Sequence, residues 1–212
     1  MSTSTVQLVC FDLGNVLIDV CNDWEEAFNL ANLPPSPAMG DPNVRHQLTN
    51  LVELHECGHI ETDQFDQQTA KLCQITTSQA ATVNTVWLKK PYEGTDTLLE
   101  KMANANVRTA CLSNTVARHW QMMNDNTPSR LPLDRLDYRF ASHEIGQRKP
   151  TAAIYEHVEN TCAVSPATIL FFDDRRDNIA AATQRNWQTN IINSHEDPVA
   201  QLTAHLTGQG IL

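Results

Sequence analysis

Asp12 stands directly after an apolar run, VQLVCF, and is followed by Leu13, Gly14 and Asn15. Three other short polar signals follow apolar runs or precede a helical pattern: Ser113-Asn114 after VRTACL, Arg148-Lys149 before Pro150, and Asp173-Asp174 after ATILFF, with Asp177 and Asn178 just beyond. Brought together, Asp12, Asp173 and Asp174 would repel one another unless a cation joined them. Hard oxygen donors with room for water and a phosphate oxygen suit Mg²⁺ better than zinc. Gly14 is expected to permit a tight turn and an inward-pointing carbonyl. Ser113 is expected near a helix N-terminus, where backbone N–H groups favour an anion. Lys149 supplies positive charge, and Pro150 suits a first helical position. A cation, a lysine and N–H donors describe a phosphoryl site, where positioning and charge neutralisation do most of the work. The carboxylate oxygen of Asp12 left free by the metal would then be the nucleophile.

Any one of these signals alone has an ordinary structural use. An Asp after a strand is a turn or cap residue, Ser-Asn-Thr an N-cap, Lys-Pro a helix start, and Asp-Asp a solvated turn. Their force lies in their order along the chain.

Such residues need elements to bring them together. Apolar runs at about 6–11, 107–112 and 168–172 read as buried strands, with a further strand near 190–193 and a weaker one near 137–141. Between them, Leu98, Leu99 and Met102 fall on one helical face. Ile154, Tyr155 and Val158 do the same within 151–162, and 177–185 is an alanine-rich helix. Strands alternating with helices argue for an α/β fold with a parallel sheet, and continuous apolar strands for a sheet covered on both faces. Ligands of such sheets bind at the carboxyl ends of the strands, which is where the polar signals lie. The interval 21–90 holds no convincing strand. It contains a proline-rich loop at 34–42, and helices for which Thr62 and Ser78 are expected N-caps. The expected organisation is a catalytic core of residues 1–20 and 91–212, with a helical domain of residues 21–90 inserted after the first strand.

Composition narrows the field. The chain of 212 residues is 41% hydrophobic, enough for a core, and carries 15 basic against 25 acidic side chains, a net charge of −10. That surface repels a nucleic-acid backbone. Six cysteines form no C-x-x-C pair and are expected as reduced thiols. No apolar stretch approaches the roughly 20 residues of a membrane span, and the N-terminal residues do not resemble a leader. The expectation is a cytoplasmic protein without membrane or nucleic-acid partners. Its oligomeric state cannot be read.

VCFDLGNVLID, LSNT, RKP and FFDDRRDN resemble, in order and spacing, the four motifs of the haloacid dehalogenase (HAD) superfamily of hydrolases. The resemblance covers nearly the whole chain, with the helical interval matching the family's cap. It implies a Rossmann-like core. It also implies that Asp12 is nucleophile and metal ligand, that the Gly14 carbonyl is a second ligand, and that Asp174, assisted by Asp173, completes the protein's share of the Mg²⁺ shell. Ser113 and Asn114 would hold the phosphoryl group, and Lys149 would neutralise it and steady Asp12. Asp177 and Asn178 would orient the metal ligands. The chain is most similar to a branch of sugar-phosphate phosphatases that includes α-glucose-1-phosphate phosphatases, whose first motif also reads Asp-Leu-Gly-Asn; HECGHIETDQF resembles the cap of that branch. A small phosphate ester, with a sugar phosphate first, is the implied substrate.

One departure from the superfamily pattern stands out. Most of its phosphatases carry a second Asp two residues after the nucleophile, and here that position is Gly14. The cap could supply an acid through His55, Glu56 or His59; the leaving group could be easy; or the enzyme could be slow. Specificity is expected from the cap and from Asp19, Trp24, His46, His143 and Arg148. Two rivals remain. A 2-haloacid dehalogenase uses the same attacking Asp without a metal, and Asp173-Asp174 argues against it. A degenerate member would only bind ligands, and the intact Asp12, Ser113, Lys149 and Asp174 argue against that.

Overall fold

The structure, a computed structural model, describes residues 6–212. Five parallel strands form the central sheet: β1 (Leu8–Phe11), β4 (Arg108–Ser113), β5 (Tyr138–Ala141), β6 (Ile169–Asp173) and β7 (Gln188–Ile191), in the spatial order β5-β4-β1-β6-β7. A separate antiparallel ribbon pairs β2 (Ile18–Val20) with β3 (Leu88–Pro91).

Side-chain alternation explains why these strands read as unbroken apolar runs. Val9 and Phe11 of β1, with Leu170 and Phe172 of β6, enter one core; Leu8, Cys10, Ile169 and Phe171 enter the other. Both faces are therefore covered, as in other parallel sheets. On the first face lie α5 (Thr95–Ala103), through Leu98, Leu99 and Met102, and α10 (Pro198–Gly208), through Leu202 and Leu206. On the second lie α8 (Ala152–Cys162), through Ile154, Tyr155 and Val158, and α9 (Arg176–Gln184), through Ala182. The remaining core helices are α6 (Ala117–Asn124) and the short α7 (Ser142–Ile145).

Between β2 and β3 come α1 (Trp24–Leu30), α2 (Pro42–Glu56), α3 (Thr62–Cys73) and α4 (Thr77–Val86). They share a third buried cluster that includes Ala27, Phe28, Leu48, Cys73 and Val83. The ribbon spans both chain crossings of this segment, and Lys89 ties it to Asp19 and Glu26 at 2.9 and 2.7 Å.

Several local expectations are corrected. Thr62 and Ser78 are not N-caps. Glu61 and Thr76 take that place, each in a reciprocal capping box with the residue three positions on, Gln64 and Gln79. The proline-rich loop contains a 3₁₀ turn at Pro37–Gly40, and Pro42 opens α2. HECGHIETDQF is not one helix. α2 ends at Glu56, Gly58 takes φ +66, and α3 begins at Thr62. At the carboxyl end, Ile211 and Leu212 pack on the first core. All six cysteines are free, and five of them are buried. No helix among the described residues is long and apolar enough to cross a membrane.

Candidate active site

Chain connections leave β1 and β6, which lie side by side, in opposite directions, β1 toward β4 and β6 toward β7. A crevice opens at the carboxyl ends of such a pair. Asp12 follows β1, and Asp173 ends β6. Backbone bonds hold both in register: Asp12 N–H donates to the Phe172 carbonyl at 2.8 Å, and Ile192 N–H to the Asp173 carbonyl at 3.0 Å.

Lys149 sits between the two carboxylates. Its Nζ lies 2.8 Å from Asp12 Oδ1 and 2.7 Å from Asp173 Oδ2, and only 1% of its side chain is exposed. Burial alone would lower the pKa of this ammonium, but Asp12 and Asp173 outweigh burial and raise it. Asp12 is pushed upward by burial and by the neighbouring Asp173 and Asp174, against the pull of Lys149. Its Oδ1 also accepts the Leu13 N–H at 2.7 Å, while no described residue donates to Oδ2.

The three carboxylates of Asp12, Asp173 and Asp174 offer oxygens within 4.8 Å of one another. They are not equivalent. Fully buried Asp173 already accepts from the Arg175 N–H at 2.8 Å, from Asn178 Nδ2 at 3.0 Å on both oxygens, and from Lys149. Asp174 is half-open and accepts only from Asn15 Nδ2, at 3.2 Å, among the described side chains. Burial and Asp173 push its pKa up. No described residue donates to the Gly14 carbonyl. A cation would therefore find free oxygens on Asp12, Gly14 and Asp174, whereas Asp173 is occupied in holding Lys149. That donor set fits Mg²⁺.

Other expected residues separate into those that reach the cavity directly and those that steady their neighbours. Ser113 is buried at the end of β4, but four residues ahead of α6. The expected helix terminus is thus displaced to Ala117. Its hydroxyl bonds no described residue and borders the cavity. Asn114 spends its side chain on the backbone of Lys149, donating to its carbonyl at 2.9 Å and accepting its N–H at 2.8 Å. Pro150 does not open α8: it follows a cis peptide bond, and Thr151 is the N-cap. Asp177 pairs with Arg175 rather than with a metal ligand, at 3.1 Å. Asn178 buttresses Asp173. Gly14 has no positive φ, and a Cβ there would meet only Val20, at 3.6 Å. The left-handed residue of this turn is Asn15, at φ 59. Reading by residue type put that burden on the glycine, and only the neighbouring Asn hinted otherwise.

A cavity of about 700 Å³ opens above this cluster. Asp12, Ser113, Lys149 and Asp174 form its floor; Trp24, Val52, Glu56, Phe65 and Trp87 contribute from the helical side. Of the expected specificity residues, Trp24 and Arg148 line it. Asp19 is bound to Lys89, His46 is exposed and bonds Asn50, and His143 packs edge-on to Trp120. Arg148 reaches across to α2, 2.8 Å from Glu53 and 2.8 Å from Glu56. A second crossing joins Arg118 of α6 to buried Asp66 of α3 at 2.6 Å, supported by Asn84. The charges at Arg118 and Asp66 carried no motif and were not expected.

The doubly covered parallel sheet, with an acidic cluster and a buried lysine at its switch point, places the chain among the doubly wound α/β proteins. The sequence profile of the haloacid dehalogenase-like hydrolases matches residues 6–184, and the chain belongs to that family. A HAD family enzyme from Bacteroides thetaiotaomicron superimposes with a TM-score of 0.81 over 94% of this chain and 99% of its own, at 22% identity. The same enzyme in complex with magnesium and inorganic phosphate gives 0.75, over 91% and 96%. The sesquiterpene phosphatase astK of Aspergillus oryzae (strain ATCC 42149 / RIB 40) is 28% identical over 132 residues, which span 61% of this chain and 66% of that protein, just under two thirds of its length.

Proposed function

We propose that the protein is a Mg²⁺-dependent phosphatase that hydrolyses small phosphate monoesters through a phosphorylated Asp12. The observation that carries this reading is the Asp12–Lys149–Asp173 cluster, which fixes one oxygen of Asp12 and leaves Oδ2 free beside the cavity. The Asp12 carboxylate oxygen not taken by the cation attacks phosphorus, the ester oxygen leaves, and water then releases phosphate from Asp12. A Mg²⁺ ion held by Asp12, the Gly14 carbonyl and Asp174 would supply charge neutralisation to the phosphoryl oxygens. Lys149 adds a second positive charge, Ser113 offers its hydroxyl, and Asp173, Asn178 and Asn114 keep Lys149 in place. In this reading, residues 21–90 form a cap over a core of residues 1–20 and 91–212. The cap hinges at the β2–β3 ribbon, and its closure excludes water. The separate cluster of buried side chains in that segment supports the division.

Sugar phosphates are the first substrate class, on the likeness of the Asp-Leu-Gly-Asn motif. A second class has an observation of its own. Trp24, Trp87, Phe65 and Val52 give the helical wall of the cavity an apolar surface, which favours an apolar leaving group, such as the terpenyl group suggested by the Aspergillus relative. Phosphate release from sugar phosphates and terpenyl monophosphates, with Mg²⁺ or with chelator, tests both. Metal-dependent release is expected, with a loss of at least about 10³-fold in Asp12→Asn. Metal-independent turnover of a 2-haloacid in its place would overturn the reading.

A further inference from the structure

An ester oxygen leaving phosphorus needs a proton unless it is a stable anion, and Gly14 has no side chain to give one. We propose that Glu56, at the C-terminal end of α2, is the proton donor to the leaving group and later the acceptor from water. The inference rests on the phosphatase reading.

Glu56 borders the same cavity as Asp12, from the opposite wall. Its side chain is 18% exposed, and Arg148 Nε lies 2.8 Å from Oε2. That approach lacks hydrogen-bond alignment, and Oε2 has no other partner. No described residue bonds Oε1. Arg148 adjoins Lys149, the residue that holds Asp12, so the two carboxylates are anchored by successive residues of one segment.

The other titratable groups around the cavity are committed elsewhere. His55 is buried, bonded to Thr62 Oγ1 at 3.2 Å and stacked on Phe65. Burial pushes its pKa down to about 4, so at neutral pH it is the neutral imidazole, a poor proton donor. His119 is fixed on the Asn84 carbonyl at 2.7 Å and is likewise pushed down to about 4. Glu53 is half exposed and bonded to Arg148. Asp177 is paired with Arg175, and Asp174 belongs to the cation cluster. His59 is exposed and does not line the cavity. For Glu56, burial raises the pKa, against the opposing charges of Arg148, Arg175 and Lys149. Its carboxyl therefore holds a proton more readily than an exposed glutamate does.

The steps balance. The bond from the metal-free carboxylate oxygen of Asp12 to phosphorus forms as the ester P–O bond breaks. The departing electron pair stays on the ester oxygen, which takes the proton of Glu56 and leaves as an alcohol. Glu56, now a carboxylate, accepts a proton from the water that attacks phosphorus. The Asp12–phosphorus bond breaks, and inorganic phosphate is released.

The test compares two monoesters with the full chain and Mg²⁺: phenethyl phosphate, whose alkoxide cannot leave unprotonated, and p-nitrophenyl phosphate, whose phenolate can. Glu56→Gln should lose about 10²- to 10⁴-fold in kcat on the first and less than about tenfold on the second. The ratio of the two rates, taken on one preparation, is independent of the folded fraction. Arg148→Met, which breaks the ion pair but keeps the acid, should lower both rates by similar factors. Should Glu56→Gln fail to fold, Glu56→Asp should show a smaller loss, again confined to phenethyl phosphate. Equal losses on the two esters would overturn the assignment, as would a selective loss in the arginine variant alone. Wild-type protein that hydrolyses neither ester would bring down the phosphatase reading as well, an outcome distinct from the others.

Discussion

The two walls of the cavity are held by different means. On the sheet side, Asp12, Lys149 and Asp173 are buried together, and nearly every polar atom among them has a partner supplied by a strand end or by Asn178. On the helical side, the contacts with the core include Arg148 on Glu53 and Glu56, Arg118 on Asp66, His119 on the Asn84 carbonyl, and the backbone of Gly58 against that of His143. The first arrangement fixes reacting groups to a fraction of an ångström, at the cost of burying charge. The second can come apart a contact at a time. The result is a split: the attacking carboxylate of the proposed mechanism sits on the fixed wall and its proposed proton donor, Glu56, on the separable one, so the two walls must meet to complete the site.

Four perturbations probe that contrast. Lys149→Met should have the largest effect. It strips two buried carboxylates of their common counter-charge, which costs about 3–5 kcal/mol, and phosphate release should vanish with it. An unchanged denaturation midpoint would show that the lysine does not hold the strand ends. Arg118→Met comes next. It leaves Asp66 buried with only the Asn84 amide, and about 3 kcal/mol should be lost in urea unfolding, while kcat of the folded fraction falls far less than for Lys149→Met. Comparable losses in kcat would erase the distinction between the walls. Gly58→Ala follows. Gly58 has φ +66, and a Cβ would lie 2.3 Å from the His143 carbonyl oxygen. About 1–2 kcal/mol of destabilisation is expected, with faster proteolysis at 17–22 and 88–94 as the helical segment loosens.

The smallest effect is in pH. His55 has a pKa of about 4 in the folded protein and about 6.5 in the unfolded chain. Between these values the unfolded chain binds the extra proton. The stabilisation is complete above about pH 6.5 and is lost as the pH falls toward 4. His119 acts with the same sign. Thermal unfolding of His55→Gln should therefore depend on pH over this window by roughly half as much as wild type. An undiminished slope would place the sensitivity elsewhere.

How much of this was legible beforehand followed the physics of each element. The three central strands were plain because both faces are buried, so apolar residues follow one another without alternation, as in LVCF, ACL and ILFF. The candidate residues Asp12, Ser113 and Asp173 were plain because they end or directly follow those strands. The edge strand β7, Gln188–Ile191, lay two residues earlier than the apolar letters suggested, since its residues are half-exposed. Ribbon strand β3 was invisible: Leu88–Pro91 contains two lysines, and only pairing with Ile18–Val20 makes it a strand. Helix α10 was also missed. Within the site, the family resemblance made Asp174 the cation ligand with Asp173 assisting it. Their division of labour depends on Asn178 and Lys149 reaching one of them, and such long-range bonds leave no local periodicity. The same holds for Asn114, whose amide reads as a ligand group until the Lys149 backbone occupies it.

The strand order has a bearing on how the molecule comes into being. β1 is the middle strand, yet Leu8 pairs with Arg108 on one side and with Ile169 on the other. Neither neighbour exists when β1 leaves the ribosome, and contacts so distant along the chain are slow to form. LVCF must therefore wait, apolar and with both edges unpaired, a state open to aggregation and to chaperones. Asp12 is thus synthesised well before the strands that enclose it.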